Sequence, residues 1–365
     1  VLFPVYLVDL GLDARGVGLA VTGTLLSSAL LTAAVRRPAD RFGLRPALLG
    51  LAGLGVLSAL LLLGSARAGV VIAAAMLGNL AVGTGETGPF LTLEQVVLAR
   101  ATSRARLTAT LSLYNLSGYV AAAVGAAVVG LAVASPPALF AAFLAGGLVQ
   151  LAAYAGLSAH RPEAPAPDGP APAGPPPASS RPLVRRLAAL FALDSFAGGF
   201  VLQSLVAYWL HTRFALDLAA LGQVFFAAQL LSGLSLLLAA GLARRLGLVN
   251  TMVWTHLASN VFLVGMALAP TAAVAVGLLL ARQALSQIDV PTRQAFMMLA
   301  VADPERAHAA SLTNTARTVA QAVSPAVTGW IMQGLALSAP LVLGGVLKSV
   351  YDLLLYATIR SVRLR

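Results

Sequence analysis

The chain has 365 residues, of which 59% are hydrophobic and 10% charged, with a formal net charge of +11. A soluble domain carries about 25% charged residues, so this composition excludes one and indicates a polytopic membrane protein. Cysteine is absent, which excludes disulfides and thiolate metal sites and leaves the redox compartment unread.

A bilayer core about 30 Å thick takes about 20 apolar residues per helix. Apolar runs and their breakers predict a remnant of a first helix at 1–8, then helices at 16–35, 47–64, 69–98, 107–134 and 137–158. Six more follow at 184–211, 218–242, 249–269, 272–300, 309–334 and 339–360. The runs are Ala, Leu, Val and Gly without sustained alternation, which argues against a barrel. The fourth, fifth, seventh and tenth runs exceed what a bilayer requires and imply tilt, kinks or extension. Gly88-Pro89 and Pro291 are the expected kink points, because proline removes a helical donor.

Residues 160–182, rich in Pro with Ala, Gly and Ser, cannot bury a core and read as an extended or disordered linker. They divide the chain into an N-terminal six-helix bundle at 1–159 and a C-terminal one at 183–365. Close packing is expected at Gly50, Gly53 and Gly55 and at Gly118, Gly125 and Gly130.

The halves repeat. Leu12-Asp13, Arg41-Phe42-Gly43-Leu44, and Gly88-Pro89 with Arg104 recur as Leu216-Asp217, Arg245-Leu246-Gly247-Leu248, and Val290-Pro291 with Arg306, at offsets of 204 and 202 residues. On this register Val1 matches Leu205, so the first helix is expected to be truncated at its N-terminal end, and any equivalent of Asp194 would precede Val1.

Basic residues gather in alternate joints and tails, among them Arg36, Arg37, Arg41, Arg45, Arg185, Arg186, Arg244, Arg245, Arg360 and Arg363, whereas the opposite joints hold Arg15, Arg67 and Arg213. This asymmetry assigns the first set, the linker and the C-terminus to the cytoplasm. Orientation thereby accounts for the positive excess, and nucleic acid is not an expected partner.

The joint after the second helix contains Asp40-Arg41-Phe42-Gly43-Leu44-Arg45, and the second half carries Gly241-Leu242-Ala243-Arg244-Arg245-Leu246-Gly247 in the equivalent place. This resembles the signature loop of the major facilitator superfamily, although the opening glycine of that loop is replaced near Arg36 or Arg37 and the second copy lacks the acid. The resemblance implies an all-α membrane fold of two six-helix bundles, twelve transmembrane helices in all, with a midplane cavity and alternating access. It also implies a cytoplasmic gate in which Asp40, Arg41 and Arg45 meet Glu94 and Arg317; Arg45, with Arg36 and Arg37, could instead only anchor the cytoplasmic face. Length and short loops make the chain most similar to bacterial efflux permeases of the inner membrane.

Charges inside apolar helices are costly and each is a site candidate. Glu86 and Glu94 lie eight residues apart on the fourth helix, roughly on one face. Arg282, Ser286, Asp289 and Arg293 form one polar stripe on the tenth, flanked by Gln283 and Gln287. The stripe either lines a wet cavity or forms a structural ion-pair ladder, with Asp289 able to pair with Arg282 or Arg293. Asp194 reads as an isolated carboxylate that can carry a proton, or as one that only caps or pairs with a neighbouring helix, and Tyr114 and Asn115 offer polar groups on the fifth helix. Lys348 and Asp352, four apart, are spaced to pair with each other. His256 reads as a satisfied core residue and Trp209 as an interfacial anchor.

No zinc-spaced His pair, nucleophile elbow or phosphate loop is present in the sequence, so neither an enzyme nor an ATP-driven pump is expected, and no cofactor or metal is called for. The leading expectation is a monomeric, proton-coupled exporter of a small organic compound. An importer or uniporter of a polar or anionic nutrient and a non-transporting receptor or scaffold of the same fold are the alternatives.

Overall fold

The computed structural model describes residues 2–80, 88–101, 104–130, 135–157, 181–301 and 306–360. Glu86 and nearly all of the expected linker lie outside the described residues, as does the side chain of Asp40. Among the described residues every regular element is a helix: α1 Leu2–Asp9, α2 Ala14–Phe42, α3 Leu44–Gly64, α4 Ala68–Leu77, α5 Pro89–Ala101, α6 Arg104–Gly130 and α7 Pro136–Ala155 in the first half. The second half comprises α8 Arg181–Gly199, α9 Gln203–Phe214, α10 Leu218–Leu246, α11 Leu248–Ala267, α12 Ala272–Ser286, α13 Asp289–Ala300, α14 Arg306–Gly334 and α15 Ala339–Ile359. Eight segments are long and apolar enough to cross a bilayer, two of them, Arg181–Phe214 and Ala272–Arg293, running through a break between helices.

Each predicted run has its helix, and three runs are broken. The tenth breaks at Gln287, where α12 ends and Val290 N bonds Gln287 O at 3.3 Å. Pro291 explains the position, because a proline ring clashes with the carbonyl four residues before it, here Gln287. The seventh breaks after Gly198-Gly199, a pair the sequence reading passed over; a Cβ on Gly199 would lie 1.5 Å from Ser324 Oγ, so glycine there lets α14 approach. In the fourth, α4 ends at Leu77 and Asn79 takes a left-handed φ of 50°, while Pro89 opens α5 instead of kinking a continuous helix.

The repeated Leu-Asp pairs are explained by capping. Asp13 Oδ1 accepts from Gly16 N at 2.8 Å and Asp217 Oδ1 from Ala220 N at 2.8 Å, so each aspartate satisfies a donor at the start of α2 or α10. The repeated glycines of the signature joints, Gly43 and Gly247, have φ of 100° and 81°, conformations that side-chain-bearing residues rarely adopt, and each turns one long helix sharply into the next.

The halves meet through α2 on α14, α10 on α6 and α1 on α9. Because α2 and α10 are repeat equivalents, as are α6 and α14, the first two interfaces are one contact used twice, as a pseudo-twofold axis requires. Both close at the end opposite the arginine-rich joints. A Cβ on Gly18 would lie 2.5 Å from Pro325 O, one on Gly329 2.4 Å from Ala14 O, and one on Gly222 2.2 Å from Gly130 N. At Gly50, Gly53, Gly55, Gly118 and Gly125 nothing lies within 4 Å of an added Cβ, so the close packing expected there is absent and Gly130 alone of the six fulfils it.

The apolar core follows the same division. One cluster joins both halves at the closed end, uniting Leu7 and Val17 with Leu205, Trp209 and Leu210. Towards the arginine-rich end it splits into two, one around Leu48, Leu51 and Leu93 of the first half and one around Leu187, Phe296 and Tyr351 of the second. Trp209 is fully buried in the joint cluster and donates from Nε1 to Ser338 Oγ at 2.9 Å, which corrects its reading as an interfacial anchor.

Candidate functional site

Between the halves lies a cavity of about 250 Å³. The first half contributes Thr24, Leu25 and Ser28 of α2 with Asn79 and Leu80, and the second half supplies most of the charge, from α8, α12, α13, α14 and α15.

Asp194 on α8 is the hub of that wall, buried to 6% exposure. Lys348 Nζ donates to its Oδ1 at 2.5 Å and Arg293 Nη1 to its Oδ2 at 3.3 Å. The same Arg293 nitrogen stands 3.3 Å from Asp289 Oδ2, one helical turn away on α13. Asp352, one turn beyond Lys348 on α15, accepts from Asn260 Nδ2 at 2.9 Å and lies 2.8 Å from His256 Nδ1. The other face of that imidazole, Nε2, is 3.5 Å from Lys348 Nζ and 3.8 Å from Asp194 Oδ1. Four helices, α8, α11, α13 and α15, are tied together by this network.

Asp194 is not isolated but pairs with neighbouring helices, the alternative left open by the sequence, and Lys348 pairs with Asp194 and not with Asp352, which corrects that reading. His256 is buried and hydrogen-bonded, as a satisfied core residue is, and its partners include two carboxylates. Sequence spacing finds pairs within one helix but cannot show which helices face one another, so the contact from Asp194 to Lys348, 154 residues apart, was out of its reach. His256, with Thr255, Ser259 and Asn260 around it on one helix, was the available signal.

The geometry fixes how the ring is turned. A carboxylate only accepts, so Nδ1 of His256 carries a proton towards Asp352 and its Nε2 accepts from Lys348 when the ring is neutral. Its Nε2 also stands 3.8 Å from Asp194 Oδ1, so the ring lies between Asp352 and the Asp194–Lys348 pair on one cavity wall.

The remaining candidates are placed as follows. Arg282 lines the cavity, and its Nη1 donates to Gln283 Oε1 at 2.8 Å. Glu94 accepts from Tyr114 and Tyr154, within the first half. Asn115 is exposed. Arg317 Nε donates to Ser195 Oγ at 3.2 Å within the second half, and Arg45 Nη2 donates to Ala155 O at 2.6 Å within the first. Arg41 is exposed over the ring of Phe42, 5.2 Å from its centroid. Among the described residues Glu94 and Arg317 do not meet in this conformation.

Residues 1–325 match the sequence model of the Major Facilitator Superfamily. The chain belongs to the major facilitator superfamily. It is a transporter by family and not an enzyme. A variant of the nucleoside transporter NupG superposes with a TM-score of 0.72 at 14% identity, over 98% of this chain and 95% of that one. A D-xylose-proton symporter gives 0.71 at 14% identity over 97% and 91%. A bacterial homologue of the iron transporter ferroportin, in an inward-facing state, gives 0.68 at 15% identity over 97% and 92%. An uncharacterized membrane protein of Saccharomyces cerevisiae is 24% identical over 174 residues, 47% of this transporter; the match spans 39% of that relative's length.

Proposed function

We propose that this transporter couples proton movement to the export of a small polar organic compound by alternating access, in a bacterial inner membrane with the arginine-rich face cytoplasmic. The observation that carries the coupling is His256, set between Asp352 and the Asp194–Lys348 pair on the wall of the central cavity. Buried charges are costly in a membrane, and a set that can be rearranged by one proton is a means of linking protonation to conformation. Likeness to a proton symporter and to nucleoside and iron transporters agrees with a small-molecule substrate. The split of the core towards the arginine-rich face supports an inward-facing arrangement, the state named for the ferroportin homologue.

A second direction, uptake of a polar or anionic nutrient, is favoured by the four cationic side chains on the cavity wall, Arg282, Arg293, Arg317 and Lys348. The polar lining gives no support to a receptor whose interior is sealed by apolar packing. Proteoliposomes loaded with a pH-sensitive dye test the reading: a compound added outside a vesicle that is acidic inside releases the stored protons through an antiporter, whereas a symporter carries protons inward with the compound. Flux that proceeds with no pH response, in both the wild type and His256→Gln, would refute the coupling.

A further inference from the structure

At the α12–α13 break a chain of side chains crosses from one half to the other. Tyr119 of α6 donates to Gln287 Oε1 at 3.0 Å, Gln287 Nε2 to Ser286 Oγ at 3.4 Å, and Ser286 Oγ to Gln283 Oε1 at 3.1 Å, where Arg282 Nη1 also donates at 2.8 Å. Gln283 Oε1 accepts twice and is filled, whereas Gln287 Oε1 and Ser286 Oγ accept once each. On the donor side, Arg282 Nε is buried and has no hydrogen-bond partner among the described residues. Arg293 and Lys348 are committed to Asp194, and Arg317 to Ser195. The wall carries four cationic side chains against two carboxylates, Asp194 and Asp289.

A buried guanidinium donor left unpaired loses its hydration without replacement, so one kept beside a cavity is open to a water, an ion or a ligand that reaches it. Arg282 presents a particular shape. With Nη1 turned to Gln283, the edge left is the side formed by Nε and Nη2, which matches the two oxygens of a planar carboxylate in a bidentate pair.

We propose that Arg282 is the anchor of an anion subsite, and that the transported compound bears a carboxylate or an equivalent two-oxygen anionic group seated on its Nε–Nη2 edge. This names the substrate class of the cavity and rests on the transport reading. The cavity, at about 250 Å³, limits that substrate to a small organic acid. The site lies against the chain that ends at Tyr119 of the opposite half, so an anion bound there also bears on the contact between halves.

The test uses the full-length protein in detergent and matched probes: benzoate against benzamide and succinate against succinamide, with thermal stability as the readout. Stabilisation by the acids and not by the amides is expected, with affinity lowered roughly tenfold or more in Arg282→Lys, which keeps the charge and loses the fork, and abolished in Arg282→Gln. Gln283→Glu places an internal carboxylate beside Arg282 and should weaken acid binding while the arginine remains. Equal stabilisation by acids and amides, or acid binding retained in Arg282→Gln, overturns the proposal. Flux in proteoliposomes separates the two readings: acid binding that depends on Arg282 without any flux sinks transport and leaves the subsite standing. Flux of neutral compounds that is indifferent to Arg282→Gln sinks the subsite and leaves transport standing.

Discussion

Gly222 meets Gly130 backbone to backbone, so that a Cβ on Gly222 would stand 2.2 Å from the Gly130 nitrogen and 2.5 Å from its Cα. Neither atom belongs to a flexible side chain, and the helices would have to part to admit one. Gly222→Ala should therefore lower the melting temperature and raise access from the face opposite the arginine-rich joints. The chain contains no cysteine, so Ser28→Cys in the cavity provides a single reporter. Faster labelling of that thiol from the far side in Gly222→Ala is the expected result, and an unchanged rate would mean that the contact does not hold that end shut.

Removing one member of the buried ion network should cost more than removing a pair. Asp194→Asn leaves Lys348 and Arg293 without their shared carboxylate, a loss of about 3–5 kcal/mol by analogy with other buried pairs broken from one side. Asp194→Asn with Lys348→Met should recover a large part of that, because the stranded ammonium is gone. Thermal denaturation of the two variants side by side decides this; a double variant no more stable than the single one would show that the pair is not the energetic unit.

Asp13 and Asp217 should each stabilise the helix they cap. Asp217→Ala is expected to cost about 1 kcal/mol, read as a fall in melting temperature. For Asp13 the effect has a defined pH window. The hydrogen bond from Gly16, followed by one from Gln333, holds its carboxyl below the ordinary value of 3.8, so its contribution is complete above that value and is lost as pH falls through the lowered one. The stability gap between the wild type and Asp13→Ala should thus be constant at neutral pH and shrink only in strong acid.

Glu94 is held by the hydroxyls of Tyr114 and Tyr154. Tyr114→Phe with Tyr154→Phe removes both donors and leaves the carboxylate seeking another partner. If Glu94 and Arg317 close a gate in the opposite state, this variant should favour closure at the arginine-rich face, seen as slower labelling of Ser28→Cys from that side. Labelling at the wild-type rate would separate Glu94 from the gate.

Much of the fold was legible because its signals are local. Twenty apolar residues make a span whatever surrounds them, Pro291 marks the break at Gln287, and the repeat of Asp13 at Asp217 is visible as spacing, with its capping reason supplied by the structure. The site was legible only in its parts. Asp194, Asp289, Arg293 and Lys348 stand out as charges in apolar helices, but their partners depend on which faces of α8, α11, α13 and α15 turn inward. His256 is buried and satisfied as read, but nothing on its own helix shows that its partners are two carboxylates brought to it by other helices. Gly50, Gly53 and Gly55 were misjudged for the converse reason, since a small residue permits an approach without requiring one.

The contacts at Gly18 and Gly222 occupy equivalent places on either side of the pseudo-twofold axis, near one end of helices α2 and α10 that are each 29 residues long. They form a fulcrum at the end of a long lever. From Gly18 to Phe42 a helix rises roughly 36 Å, so a swing of about 10° at the glycines displaces the arginine-rich tips by about 6 Å. That is ample to open or shut a passage for a small molecule, while the glycine pairs themselves scarcely move.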